Sequence, residues 1–279
     1  MLEILSEHKC FDGRVSYWKH QSDVCKTDMK FSIFEPPQSS SIKTPILYYL
    51  AGLTCTQETF MIKSGALKKA SELGLTLVCP DTSPRNINNL KGDDDWDFGT
   101  GAGFYLDATI EPWSKNFKMF SYVTSELPEI VTNNFNTETK RQSIFGHSMG
   151  GHGALICALK KPNLYKSVSA FAPISSPSTS PWGIKAFKGY LGDNKDKWSE
   201  WDATKLIQNS SNIYDEILID QGTNDEFLNE LTPEKFSDKC KTLNQKLLMR
   251  YQEGYDHGYN FISTFINDHL DFHSKKLNK

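Results

Sequence analysis

The sequence has no CxxC pair, no strong excess of charge and no long apolar run, and each absence removes a class of protein. Its six cysteines (Cys10, Cys25, Cys55, Cys79, Cys157 and Cys240) lie scattered through 279 residues. With no secretory signal, a chain this long is expected to keep them as reduced thiols in the cytoplasm. The N-terminus, Met1 to Glu7, lacks a basic segment followed by an apolar one. The C-terminus, Lys276-Leu277-Asn278-Lys279, is neither a peroxisomal nor an ER address. In that compartment the sequon Asn209-Ser210-Ser211 is not glycosylated. The formal net charge is −3, so no global field draws the protein to nucleic acid or to a membrane surface. The longest apolar stretch, Ile46 to Ala51, falls far short of the ~18 residues of a membrane span.

Aromatic residues are plentiful. Seventeen Phe, eleven Tyr and six Trp supply a sizeable core. Short β-rich runs at 46–51, 76–79, 143–145, 167–172, 216–220 and 246–252 alternate with helical patterns at 59–73, 119–131 and 150–159. That alternation predicts a mainly parallel sheet flanked by helices. Two antiparallel edge strands are expected upstream, at 7–19 and 26–35. In the last helix Phe261, Ile262, Phe265, Ile266 and Leu270 form one apolar stripe. Two irregular stretches, 81–112 and 174–212, interrupt the pattern without a linker. They are expected to be excursions from a single domain, 1–279, that shape its active site.

Gly146-His147-Ser148-Met149-Gly150 matches G-x-S-x-G between a strand and a helix. There the serine sits on a sharp turn above a helix N-terminus that favours developing negative charge. The expected fold is therefore the α/β-hydrolase fold, in which the chain order is Ser, then acid, then His. Beyond the elbow, the downstream histidines are His257, His269 and His273. The last two fall in or after the terminal helix and are expected to face solvent. His257 lies in the loop before that helix and is the candidate base. The loop after the strand 216–220 carries Asp225, the candidate acid, at the carboxyl end of a parallel strand. An oxyanion hole needs two N–H groups. Met149, after the nucleophile, and Leu53, in the loop after the third strand, are the candidates.

Further stretches resemble one family. They are Leu50-Ala51-Gly52-Leu53-Thr54-Cys55-Thr56, Pro80-Asp81-Thr82-Ser83-Pro84-Arg85, Gly99–Thr109, Gly146–Gly153, Ala170–Ile174 and Gly254-Tyr255-Asp256-His257. Over essentially its whole length the chain resembles the S-formylglutathione hydrolase (esterase D) family. The resemblance implies hydrolysis of S-formylglutathione to glutathione and formate, the second step of glutathione-dependent formaldehyde detoxification. It implies the same triad and oxyanion pair, a homodimer, and a Cys55 that lies near the site and confers sensitivity to thiol reagents. Gly258 stands where the family commonly has serine, and glycine is only slightly weaker as an N-cap.

Several residues carry a plainer reading beside the functional one. With a serine triad present, Cys55 is a buried small residue and not the nucleophile. His147 and His152 span the turn without a carboxylate, so packing suits them better than metal binding. The run Asp93-Asp94-Asp95-Trp96-Asp97 lacks the EF-hand spacing and is expected to be a solvated or hydrogen-bonded loop. No metal or cofactor is required by this chemistry. Trp182 is a candidate wall of the acyl pocket, and Lys63, Trp96 and Tyr259 are candidates for contacting the thiol part of a substrate. The alternatives to thioester hydrolysis are a general short-chain carboxylesterase or an acyltransferase on the same elbow. Side activity on short-chain esters is expected in any case, because a methylene in a pocket changes discrimination by only ~1–3 kcal/mol.

Overall fold

The computed structural model describes all residues except Met1, Asn88, Asn89, Lys91, Asp94, Ser210, Ser211, Asn212 and Lys279. Two of the sequon's residues and one of the acidic run therefore lie outside the described residues. Among the described residues the β-rich runs become nine strands: β1 (Leu2–Cys10), β2 (Gly13–Gln21), β3 (Asp28–Glu35), β4 (Thr44–Leu50), β5 (Thr76–Pro80), β6 (Thr137–His147), β7 (Val168–Phe171), β8 (Ile217–Gly222) and β9 (Leu247–Gln252). They form one sheet in the order β1-β2-β3-β5-β4-β6-β7-β8-β9. The pairs from β5 to β9 are parallel, and β1, β2 and β3 add an antiparallel edge. Strands β4 and β8 are buried along their whole length, which is why they read as continuous apolar runs.

Seven helices position the site: α1 (Thr59–Lys63), α2 (Ala66–Leu73), α3 (Leu127–Asn134), α4 (Met149–Lys160), α5 (Pro181–Leu191), α6 (Pro233–Thr242) and α7 (Tyr259–Leu277). Helix α4 packs on β4, β6 and β7, and α7 packs on β6, β7 and α2. Along β6 the pleat sorts side chains between layers. Ser143, Phe145 and His147 all face α7 or the loop before it.

Three expectations need correction. The segment 7–19 is not one strand but the two arms of a hairpin, β1 and β2. Phe11 (φ 46) and Asp12 (φ 58) make the tight turn between them, a conformation that matches the twist of paired strands. The helix expected over 59–73 is split into α1 and α2 by Gly65 at φ 71. His269 and His273 do not face solvent; both are 0% exposed. Their rings bond to Ser169 and Ser167 at 2.8 Å, and a buried polar ring is tolerable when it is so partnered.

Candidate active site

The turn after β6 holds Ser148 at φ 58, ψ −121, a strained conformation for a residue with a side chain. Close packing enforces it. A Cβ on Gly146 would stand 2.2 Å from the Gly150 carbonyl oxygen, and one on Gly150 would stand 2.0 Å from that of Leu50. Only glycine lets α4 and β4 approach the elbow this closely. The Ser148 N–H donates to the Phe171 carbonyl at 2.9 Å, tying the elbow's backbone to the end of β7.

The structure brings Asp225 and His257 together. His257 Nδ1 and Asp225 Oδ2 are 2.7 Å apart, and the Asp225 side chain is 0% exposed. Two residues that sequence reasoning missed complete this corner. The Gln221 Nε2 donates to Asp225 Oδ2 at 2.9 Å, and the Phe227 N–H donates to Asp225 Oδ1 at 2.9 Å. The phenyl ring of Phe227 also stands edge-on to the His257 ring, 5.1 Å away. An acid bonding the N–H two residues on is an Asx turn, so Asp225-Glu226-Phe227 carried a signal for the second contact. Gln221 carried none, because its role depends on where β8 ends.

The loop after β4 brings Leu53 to the elbow. A Cβ on Gly52 would lie 3.2 Å from the Ser148 Cβ, so the loop that carries Leu53 packs closely against Ser148. The Leu53 N–H has no acceptor among the described residues, and the Met149 N–H, first in α4, has none within its helix. The excursion 81–112 clamps this loop. Tyr105 Oη donates to the Ala51 carbonyl at 2.9 Å, Thr82 Oγ1 to that of Cys55 at 2.6 Å, and Arg85 Nη2 to the same oxygen at 3.0 Å.

Around these groups the structure gathers the other candidates. Cys55 is half-buried, and burial pushes its thiol up, with the Thr59 hydroxyl and the Lys63 ammonium opposing. A raised thiol is a poor nucleophile at neutral pH. The Lys63 Nζ lies 5.9 Å from the Tyr259 ring centroid, and the Tyr259 hydroxyl is 3.4 Å from that of Tyr49. Trp96 and Trp182 meet edge to face at 5.6 Å, and Trp182 packs on Phe227 at 4.9 Å. Since Phe227 touches His257, the two tryptophans extend an aromatic wall from the base to the surface, where Trp96 is 56% exposed.

His147 packs its ring on that of His257 at 4.5 Å, and neither ring nitrogen has a partner among the described residues. Burial holds its pKa well below the usual imidazole value, aided by the His257 ring. His152 is fully buried with Nε2 3.1 Å from the Phe104 carbonyl, and burial lowers its pKa to about 4. In the acidic run, Asp93 bonds Thr100 Oγ1 at 2.6 Å, while Asp95 and Asp97 hold Lys185 at 2.8 and 2.5 Å.

Fold and elbow together define an esterase of the α/β-hydrolase fold. The esterase family model, described as "Putative esterase", matches residues 22–272. An S-formylglutathione hydrolase of Rattus norvegicus is 54% identical over 280 residues, covering 99% of each chain. One of Arabidopsis thaliana is 53% identical over 279 residues, covering 99% of this chain and 98% of its own. The solved structure of an S-formylglutathione hydrolase from Agrobacterium tumefaciens superposes with a TM-score of 0.96 at 46% identity, covering 98% of this chain and 99% of that one. The chain belongs to the S-formylglutathione hydrolase family.

Proposed function

We propose that this protein hydrolyses S-formylglutathione to glutathione and formate, with Ser148, His257 and Asp225 as its catalytic triad. His257 takes the Ser148 proton while Oγ attacks the formyl carbonyl, and Asp225 steadies the imidazolium. The Leu53 and Met149 N–H groups receive the oxyanion. The C–S bond then breaks, His257 returns the proton to the departing thiolate, and a formyl-serine ester remains. Water, deprotonated by His257, attacks that ester and releases formate with Ser148 regenerated. The observation that carries this reading is the 2.7 Å Asp225–His257 contact beside a serine held at φ 58. No Ser148–His257 hydrogen bond is formed in the structure, and catalytic bonds of this kind often tighten only once substrate is bound.

Trp182 suits the acyl side of the site, and Cys55, Lys63, Trp96 and Tyr259 suit the thiol side. One shared core argues for a single domain over 1–279 without a separate lid domain. Six free cysteines fit the cytoplasm, where the pathway of formaldehyde detoxification would use the enzyme; among the described residues no helix is long and apolar enough to cross a membrane. Strand β1, an exposed nine-residue edge, is a candidate surface for the homodimer, since it presents unpaired backbone groups.

The test compares kcat/KM on S-formylglutathione with that on p-nitrophenyl acetate, for the wild type and Ser148→Ala. A thioester preference of 10²-fold or more, about 2.7 kcal/mol at the transition state, with both activities lost in the variant, is the expected result. A protein that turns over the ester and leaves the thioester would instead be a general short-chain carboxylesterase. Added acceptor alcohols that capture the formyl group would make it an acyltransferase.

A further inference from the structure

One charged cleft lies outside the site described so far. It has a volume of about 540 Å³ and sits where the β2–β3 hairpin tip meets the loop after β5, lined by Lys19, Lys26, Asp28, Lys30, Asp81 and Arg85 among others. The Asp81 N–H donates to the Lys30 carbonyl at 3.0 Å, which joins the two sides. The cleft opens at the carboxyl ends of the parallel strands, the same edge of the sheet that carries Ser148. Arg85 connects the two places directly. Its Nη2 bonds the Cys55 carbonyl in the oxyanion loop at 3.0 Å, while Nε is 2.8 Å from Asp81 Oδ2.

The charges of the cleft are unequally engaged. Lys19 is held by Glu3 at 2.9 Å and lies 4.0 Å from Asp28, and Arg85 is held by Asp81. Among the described residues Lys26 and Lys30 join no ion pair. Lys26 sits exposed at the hairpin tip with φ 55, and Lys30 of β3, half-buried, lines the same cleft. Asp28 is exposed, with Lys19 at a long 4.0 Å and the Gln21 side-chain amide donating to its Oδ1 at 3.1 Å. Two unpaired ammonium groups beside one weakly held carboxylate match a zwitterionic amino-acid head, carboxylate to lysine and ammonium to aspartate.

We propose that this cleft is the subsite for the γ-glutamyl end of the tripeptide thiol, with Lys26 and Lys30 binding its carboxylate and Asp28 its ammonium. The inference rests on the thioesterase reading and adds where the leaving group is held. Reach is adequate. From β6 to β3 there are three inter-strand steps in the sheet, about 14 Å at about 4.8 Å each. From the thioester carbonyl the cysteine side chain and the γ-glutamyl arm together reach about 10 Å when extended, about three residues' worth of backbone, and the lysine side chains cover the remainder. The cation pair would also draw a thiol carrying net negative charge toward the site, an effect that salt screens.

The experiment measures kcat/KM for S-formylglutathione and for the S-formyl thioester of N-acetylcysteinylglycine, which lacks the γ-glutamyl arm but keeps the cysteine nitrogen acylated. It uses the wild type and the double variant Lys26→Glu/Lys30→Glu, with circular dichroism melting to confirm that the variant is folded. In the wild type the full substrate is expected to win at least tenfold. In the variant that ratio falls to near one, through KM for the full substrate and not through kcat. Lys26→Met/Lys30→Met gives an intermediate ratio, and raised salt lowers the ratio of the wild type alone. A ratio that survives charge reversal, or a wild type that treats both thioesters alike, overturns the subsite while leaving the thioesterase standing. A wild type inert toward both thioesters overturns the thioesterase reading and the subsite with it.

Discussion

Gly150 bears no side chain because its Cβ would stand 2.0 Å from the Leu50 carbonyl oxygen, and that atom belongs to the backbone of a buried central strand. Neither side can yield cheaply. Gly150→Ala is therefore expected to cost about 3 kcal/mol or more, seen as a lowered urea midpoint; an unchanged midpoint would mean that the elbow is softer than its geometry suggests. Phe227 packs against the edge of the core and also touches His257 and Asp225. Its N–H holds Asp225 and its ring holds the His257 plane, so Phe227→Ala keeps the first contact and removes the second. A misplaced base is expected to lower kcat on p-nitrophenyl acetate roughly 10- to 100-fold with little change in KM. Equal losses in kcat and in thermal stability would reassign Phe227 to plain packing.

At the scale of elements, α7 is held to the sheet by more than its apolar stripe. Ser143, Ser167, Ser169, His269 and His273 form a buried chain of hydrogen bonds that ends on Asp220. Asp220 is held in turn by both arms of Arg250, at 2.6 and 2.5 Å, and Arg250 reaches Asp268 of α7 at 2.7 Å. Because α7 begins two residues after His257, this chain also fixes where the loop carrying His257 ends. Arg250→Met would leave the Asp220 carboxylate buried without its cation, at a cost of about 3 kcal/mol. The expected readout is a loss of stability; a variant as stable as the wild type would show that His269 alone satisfies the carboxylate. The parallel strands, the elbow and the loop carrying His257 were legible because each follows from a local pattern: an apolar run, a G-x-S-x-G, a turn before a helix. The α7 network was not, because each of its polar residues looks like a surface residue until β6, β7 and β8 stand side by side. The hairpin at Phe11-Asp12 was legible in principle, since Asp12-Gly13 is a turn signal, but the alternating pattern on either side of it hid the break.

Across the whole molecule, burial lowers the pKa of five imidazoles: His20, His147, His152, His269 and His273. In the unfolded chain each takes up a proton near pH 6.5. Above that pH both states are neutral at these positions, and the stability they contribute is fully present. As the pH falls below 6.5 the unfolded state gains protons that the folded state refuses, so stability drops by up to about 1.4 kcal/mol per pH unit for each such group. For His152 the loss continues until pH about 4, where its folded form also protonates. Asp220, lowered by His269 and Arg250 against the opposing effect of burial, adds a second loss below the ordinary carboxylate range. Unfolding midpoints in urea are thus expected to be flat from pH 8 to 7 and to fall steeply between pH 6.5 and 4. Replacing His273 by Gln, which keeps a hydrogen-bonding side chain but cannot titrate, should flatten part of that slope even if it lowers the plateau. A midpoint that stays level from pH 7 to pH 5 would mean that the buried histidines are protonated in place, and that the Ser167–Ser169 chain rearranges to accept the charge.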